Sequence, residues 1–200
     1  VIGIQPPSAV PPALGDAALL DALREAMVRR RAAYADELAL LAEIDARGLA
    51  LDQGYPTAAA LVRDLYHLGM SQAQRMVAHA HALHPKLTPS GGQVDAELPR
   101  TATALREGEI GPEHVDAIRA AVDALPRATT AEDRVAAERI LCEAATQTEP
   151  RLLTKLGREI RDRLDPDGTA PREADLAQPR RALHLAARRD GGVRGSFELD

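Results

Sequence analysis

Between residues 55 and 83 the apolar side chains fall three and four apart in two short runs: Ala58, Leu61, Val62 and Leu65, then Ala73, Met76, Val77, Ala80 and Leu83. That spacing puts each run on one face of an α-helix. The junction Leu68-Gly69-Met70-Ser71 offers a glycine able to take the left-handed conformation that ends a helix, and Ser71 with Gln74 has the spacing of a capping box. The pattern predicts a helix-turn-helix-like hairpin whose second helix turns Gln74, Arg75, Ala78 and Ala82 outward, with His79 at the edge. Small residues beside an arginine and a glutamine would let such a helix lie close to a DNA groove. A plain αα-hairpin of a helical core carries the same pattern.

Upstream, Leu20, Leu23, Met27, Tyr34, Leu38, Leu41 and Ile44 make one stripe, from Asp16 as candidate N-cap to about Arg47, where Gly48 ends it. A globular helix averages about 12 residues, so one of some thirty predicts a partner helix or a dimer seam. Pro6, Pro7, Pro11 and Pro12 mark residues 1–15 as a flexible, proline-rich arm. Downstream, His84-Pro85 stops the hairpin's second helix. Further helices are predicted from Pro99 to about Glu107 and from Pro112, the latter with the stripe Val115, Ile118, Val122 and Leu125. Two more run from the cap Thr130 to about Thr146, burying Ala137, Ile140, Leu141 and Ala144, and from Pro150 to Leu164, burying Leu152, Leu153, Leu156, Ile160 and Leu164.

Asp165-Pro166-Asp167-Gly168 is a turn signal that closes the helical part. Beyond it, the alternation at Leu183 and Leu185, the turn Asp190-Gly191-Gly192 and the run 193–199 predict a β-hairpin. The expected fold is mainly α: a multi-helix bundle over residues 16–165 with helix-turn-helix-like hairpins and a long N-terminal helix. Residues 166–200 are expected to form a linker and short β-hairpin leading into a further C-terminal region.

Composition agrees with helices, since 45% of residues are hydrophobic but only 2% aromatic. The formal charge of -5 excludes an overall basic field. Any DNA contact must therefore come from a local patch. One candidate is the hairpin, with Arg63, Arg75 and Lys86 against Asp64; the other is the last helix, with Arg151, Lys155, Arg158, Arg161 and Arg163 against Glu159 and Asp162. The single cysteine, Cys142, excludes an internal disulfide and any multi-cysteine zinc site, fits a reducing cytoplasm, and reads as a small, partly buried, unreactive side chain. No run approaches the ~18 apolar residues of a membrane span, and the N-terminus lacks the form of a signal peptide. Of the histidines, only His81 and His84 share a helix face, too few for a zinc site. With no phosphate-binding loop, nucleophile elbow or HExxH helix, no catalytic site or cofactor is expected in this segment.

Several short signatures fall in one order along the chain: Glu43-Ile44-Asp45-Ala46-Arg47-Gly48-Leu49; Gly54-Tyr55 with Thr57-Ala58; Met70-Ser71 with Ala73 and Arg75; Leu105 and Gly108-Glu109-Ile110 with His114; Leu125-Pro126; Arg163-Leu164-Asp165-Pro166-Asp167-Gly168; and Asp190-Gly191-Gly192 with Gly195 and Leu199-Asp200. With these the chain resembles the actinobacterial 13E12-repeat family, also known as domain-of-unknown-function family 222. The resemblance implies a parent protein with a C-terminal HNH nuclease module and its divalent metal, an association with mobile elements, and DNA as partner. The HNH motif needs an asparagine, which this chain lacks throughout. The family supplies no catalytic residues for this region.

The expectation is thus a DNA-binding or DNA-positioning module in which Gln74, Arg75 and His79 approach base edges or phosphate and Arg158 and Arg161 hold the backbone. The alternative is a protein-interaction or homodimerisation scaffold built on the long helix, with no nucleic-acid role. One departure weighs on the hairpin. A standard helix-turn-helix has apolar residues six and nine positions after its turn glycine, where this chain has Arg75 and Ala78.

Overall fold

The computed structural model describes residues 14–87, 92–165, 182–187 and 193–198. The chain is mainly helical and divides into two compact units between Leu164 and Asp165. The first holds α1 (Asp16–Ala46), α2 (Leu49–Asp52), α3 (Ala58–Tyr66), α4 (Met70–Leu83), α5 (Pro99–Arg106), α6 (Pro112–Asp123), α7 (Ala131–Ala145) and α8 (Pro150–Leu164). A two-residue antiparallel pair, β1 (Lys86–Leu87) with β2 (Gln93–Val94), joins α4 to α5. In the second unit β3 (Ala182–Ala187) runs antiparallel to β4 (Val193–Glu198), with Leu185 opposite Gly195. The proline-rich arm as far as residue 13, the linker 166–181 and the turn 188–192 lie outside the described residues. No helix among the described residues is long and apolar enough to cross a membrane.

The core of the first unit is built from Leu38 and Leu41 of α1, Val62 of α3, Ala73, Met76, Ala80 and Leu83 of α4, Leu105 of α5, Val115 and Ile118 of α6, Leu141 of α7 and Leu153 of α8. Two places bring backbones unusually close. Gly157 of α8 faces α6 so tightly that a Cβ there would lie 2.5 Å from the Ala121 Cβ. At the α5–α6 turn, Gly108 has φ +75° and sits against Val28 of α1, while Arg31 of α1 donates to the Gly108 carbonyl at 3.1 Å and the Glu109 carbonyl at 2.8 Å. His114 completes this joint: its Nδ1 accepts from the Gly111 N–H, and its Nε2–H donates to the Thr148 carbonyl. The signature Gly108-Glu109-Ile110 with His114 is thus the seam where α1, α5, α6 and the approach to α8 meet.

The turn between α3 and α4 differs from the expected one. Gly69 is extended (φ -70°, ψ 149°), and the left-handed residue is His67, with φ 55°. The Leu68 N–H bonds back to the Arg63 carbonyl at 3.0 Å, so α3 closes in a Schellman motif two residues before the glycine. Gly69 then becomes the N-cap of α4, and no side chain caps it. Ser71 falls inside the first turn and the Ser71–Gln74 capping box does not form. Because His67 is exposed and occupies a conformation that costs an L-residue about 1–2 kcal/mol, His67→Gly is expected to raise stability by about 0.5–1 kcal/mol, read as a higher urea midpoint at unchanged slope.

Several side chains expected inside lie at the surface: Leu20, Leu23 and Met27 of α1, Leu65 of α3, Ile140 of α7, Leu152 and Leu164 of α8. Periodicity names the apolar face of a helix but not how far along it a neighbour extends. Conversely Ala82, expected outward, is buried, because alanines on several faces of α4 let neighbouring helices approach closely.

Candidate functional site

Arg75 and His79 stand one helical turn apart on α4, and α6 places Asp116 against both. His79 is 0% exposed, so the edge position expected for it is corrected: it faces the interior. Its Nε2 lies 2.7 Å from Asp116 Oδ1, and its Nδ1 lies 2.9 Å from the hydroxyl of Tyr34 on α1. A carboxylate can only accept, so Nε2 carries the proton and Nδ1 accepts from the Tyr34 O–H. The other carboxylate oxygen, Asp116 Oδ2, is 2.7 Å from Arg75 Nη2, and Glu113 Oε1 is 3.6 Å from the same nitrogen. A continuous polar chain, Tyr34–His79–Asp116–Arg75, therefore ties α1, α6 and α4 together.

Burial dominates the protonation of this chain. It lowers the His79 pKa against the hydrogen bond and charge of Asp116, which raise it; Arg75 and Arg119 lower it further. Burial also pushes the Tyr34 phenol up to about 12. At neutral pH the network holds a neutral imidazole between a protonated phenol and a carboxylate, an arrangement suited to locking three helices in register.

The remaining predicted residues divide between two places. Gln74 is exposed on α4, beside an Arg75 whose charge is matched by two carboxylates. Arg158 and Arg161 lie on α8, at the rim of a shallow groove of about 100 Å³ lined by Ala117, Ala120 and Ala121 of α6 and by Ala124, which caps that helix. Arg161 pairs with Asp162 at 3.0 Å, whereas among the described residues Arg158 reaches only the Thr154 carbonyl of its own helix. Arg151, Lys155 and Arg158, four and three apart, share one exposed strip of α8 and have no acidic partner among the described residues. The structure brings Arg75 and His79 together through Asp116, and Arg158 and Arg161 together at one groove, but shows no contact joining the two sets.

Sequence reasoning missed Tyr34 and Asp116 as partners of His79, and also missed Glu138. That carboxylate, 1% exposed on α7, accepts through Oε1 from both the N–H and the hydroxyl of Thr101, each at 2.9 Å. Thr101 is the third residue of α5, whose N-cap is Leu98, so α7 supplies the cap that the local sequence lacks. A glutamate inside the Ala137–Leu141 stripe was the available signal. Cys142, one turn on, is buried, and burial first, then the Glu138 charge, pushes its thiol up to about 11. That keeps it protonated at neutral pH. His81 pairs with Asp45 at 2.7 Å beside His84, at a cavity of about 400 Å³. No group of three or more His, Cys, Asp or Glu among the described residues could hold a metal ion.

Comparison of the sequence with known proteins finds relatives. The mycobacterial "Uncharacterized protein Rv1945" of Mycobacterium tuberculosis is 35% identical over 150 residues, covering 75% of this chain and 33% of that protein. "Uncharacterized protein Mb1179c" of Mycobacterium bovis matches at the same identity and coverage. "Uncharacterized protein Rv1128c" of Mycobacterium tuberculosis is 40% identical over 105 residues, 52% of this chain and 23% of its own length. The chain thus spans about a third or less of the length of the curated relatives it matches. No solved structure matches. The family described as "Domain of unknown function (DUF222)" matches residues 20–200, which take in nearly all of both units, and the chain belongs to that family.

Proposed function

We propose that this region binds and positions DNA through backbone contacts, with α8 as the contacting face. The observation that carries the reading is the strip Arg151, Lys155 and Arg158: three exposed cations on one helix face, none of which forms an ion pair among the described residues, while the nearby Asp162 is paired with Arg161. Arg161 and Gln74 are secondary in this reading. Arg75 contributes little, because a phosphate would have to displace Asp116. His79 acts only by holding α4 in place. Contacts of this kind are independent of sequence and weaken with salt, since each neutralised phosphate releases counterions.

Fluorescence anisotropy on duplex and single-stranded DNA across a salt series tests it. Binding should fall log-linearly with salt, and replacing all three cations by alanine should flatten the slope by up to about 0.9 per lost duplex phosphate contact. Equal affinity and slope in the triple variant would remove α8 from the interface; no binding by the parent chain at low salt would remove the DNA reading.

The wider proposal is that this module serves a longer, mobile-element-associated HNH-type nuclease in the cytoplasm, the divalent metal belonging to the nuclease part. It rests on the 13E12-repeat resemblance, as does the expected hairpin's role as a lead into that part. A second reading, contact with another protein or a second copy through α1, is favoured by one observation: Leu19, Leu20, Leu23 and Met27 are all exposed on the first half of that helix.

A further inference from the structure

The first half of α1 runs past the bundle. From residue 14 to residue 30 every side chain is exposed except the half-buried Ala22, and close packing begins where Val28 and Arg31 meet the α5–α6 turn. Asp16, Leu19, Leu23, Met27 and Arg30 lie on one stripe, which continues into the face that Tyr34, Leu38 and Leu41 turn toward the core. The free segment is about 22 Å long at 1.5 Å per residue. A helix of that length is marginal alone and is stabilised mainly by packing its apolar face.

Apart from Arg24, charge is segregated along the segment. Asp16, Asp21 and Glu25 occupy its first part, and Arg29, Arg30 and Arg31 its end. Asp21 pairs with Arg24, Glu25 with Arg29, and Arg31 is committed to the α5–α6 turn. Asp16 and Arg30 have no ion-pair partner among the described residues. A two-fold axis through Leu23 would set Asp16 opposite Arg30 of a second copy, Leu19 opposite Met27, and Leu23 opposite itself. It would also keep the two helical bundles at opposite ends of the pair.

Resting on the second reading above, we propose that the free half of α1 pairs antiparallel with the same half of a second copy, in the register centred on Leu23. Two helices this short fall below the ~1,200 Å² of a standard specific interface, so the dimer is weak and reversible, with a Kd in the micromolar range.

Sedimentation equilibrium of the 200-residue chain from about 1 to 300 µM brackets such a Kd. Leu23→Glu, at a side chain 66% exposed in the single chain, should leave the circular dichroism of the dilute, dissociated chain unchanged and weaken association at least ~10-fold, because it sets two charges face to face in the seam. Asp16→Arg and Arg30→Asp should each weaken self-association, and their equimolar mixture should restore a heterodimer through two complementary pairs. A chain that stays monomeric overturns the register and the second-copy form of the second reading, and leaves contact with another protein through α1 as its remaining form. A dimer insensitive to Leu23→Glu overturns this site, and a dimer lost in Leu23→Glu but not rescued by the charge-swapped mixture overturns the antiparallel register alone.

Discussion

Gly108→Ala is expected to destabilise the helical unit by about 3–4 kcal/mol, a large share of the roughly 5–15 kcal/mol that keeps a domain folded. Two effects add. At φ +75° an L-residue is strained, which costs about 1–2 kcal/mol. The new Cβ would also lie 2.7 Å from both the Val28 Cγ1 and the Val28 carbonyl oxygen, and 3.0 Å from the Val28 Cα. Overpacking of this kind costs about 1–3 kcal/mol. Two of the three crowded atoms are backbone, so α1 itself must move, and the Arg31 hydrogen bonds to residues 108 and 109 stretch with it. Gly54→Ala is the control: φ is +82° there, but nothing lies within 4 Å of the added atom, so only the strain of about 1–2 kcal/mol applies. Combining Gly108→Ala with Val28→Ala should recover part of the loss, because it removes the Cγ1 contact and leaves the backbone one. Denaturant unfolding of the four proteins reads all of this, and equal losses for Gly108→Ala and Gly54→Ala would refute close approach as the cause.

The same glycine shows what the pattern of residues can and cannot reveal. The helices with strong local punctuation were legible: proline opens α5, α6 and α8, and the Thr130 hydroxyl caps α7 by accepting from the Asp133 N–H. In each case the deciding chemistry lies within four residues. Gly108 could be read as a helix stop, but not as the point where α1 crosses, because that depends on Val28, far off in sequence. Legibility also faded where small residues dominate, since an alanine reads equally well as inside or outside; α4 buries Ala73, Ala80 and Ala82 on faces that one stripe cannot describe. Along α1 the error ran the other way. Leu20 and Leu23 continue the stripe of Leu38 and Leu41, but the neighbouring helices end before reaching them.

The site followed the same logic. Arg75 and Gln74 were visible as polar residues on an amphipathic helix, and the cations of α8 as a run on one face. The carboxylate that neutralises Arg75 sits on α6, and no local rule connects the two. Nor does one connect His79 with Tyr34. A histidine flanked by Ala78 and Ala80 reads as an edge residue until α1 and α6 close over it.

Closing His79 inside the bundle should make stability fall with acidification. An unfolded imidazole titrates near pH 6.5, and burial holds the folded one below that value. Between the two pKa values the unfolded chain carries the extra proton, so unfolding is favoured as pH drops. The His79 contribution is complete above about pH 6.5 and shrinks toward the folded pKa by at most about 1.4 kcal/mol per pH unit, the slope of one proton. His84, also lowered by burial and by Arg106, adds to the same window. His84→Gln should therefore remove part of the slope measured between pH 7 and 5, and His79→Gln a separate part. Asp116→Ala is the more damaging change. It leaves the buried His79 Nε2–H without an acceptor, at a cost of about 1–3 kcal/mol already at pH 7, and frees Arg75 from its closest carboxylate. Because Asp116 raises the His79 pKa, its removal also lowers the folded value further and carries the loss to more acid pH. Asp116→Asn keeps an acceptor for Nε2–H and should recover most of the neutral-pH stability. Urea unfolding of the parent chain, Asp116→Ala and Asp116→Asn at pH 7, 6 and 5 separates the two effects. If Asp116→Ala unfolds like the parent at pH 7, the Tyr34–His79–Asp116 chain does not hold the three helices together.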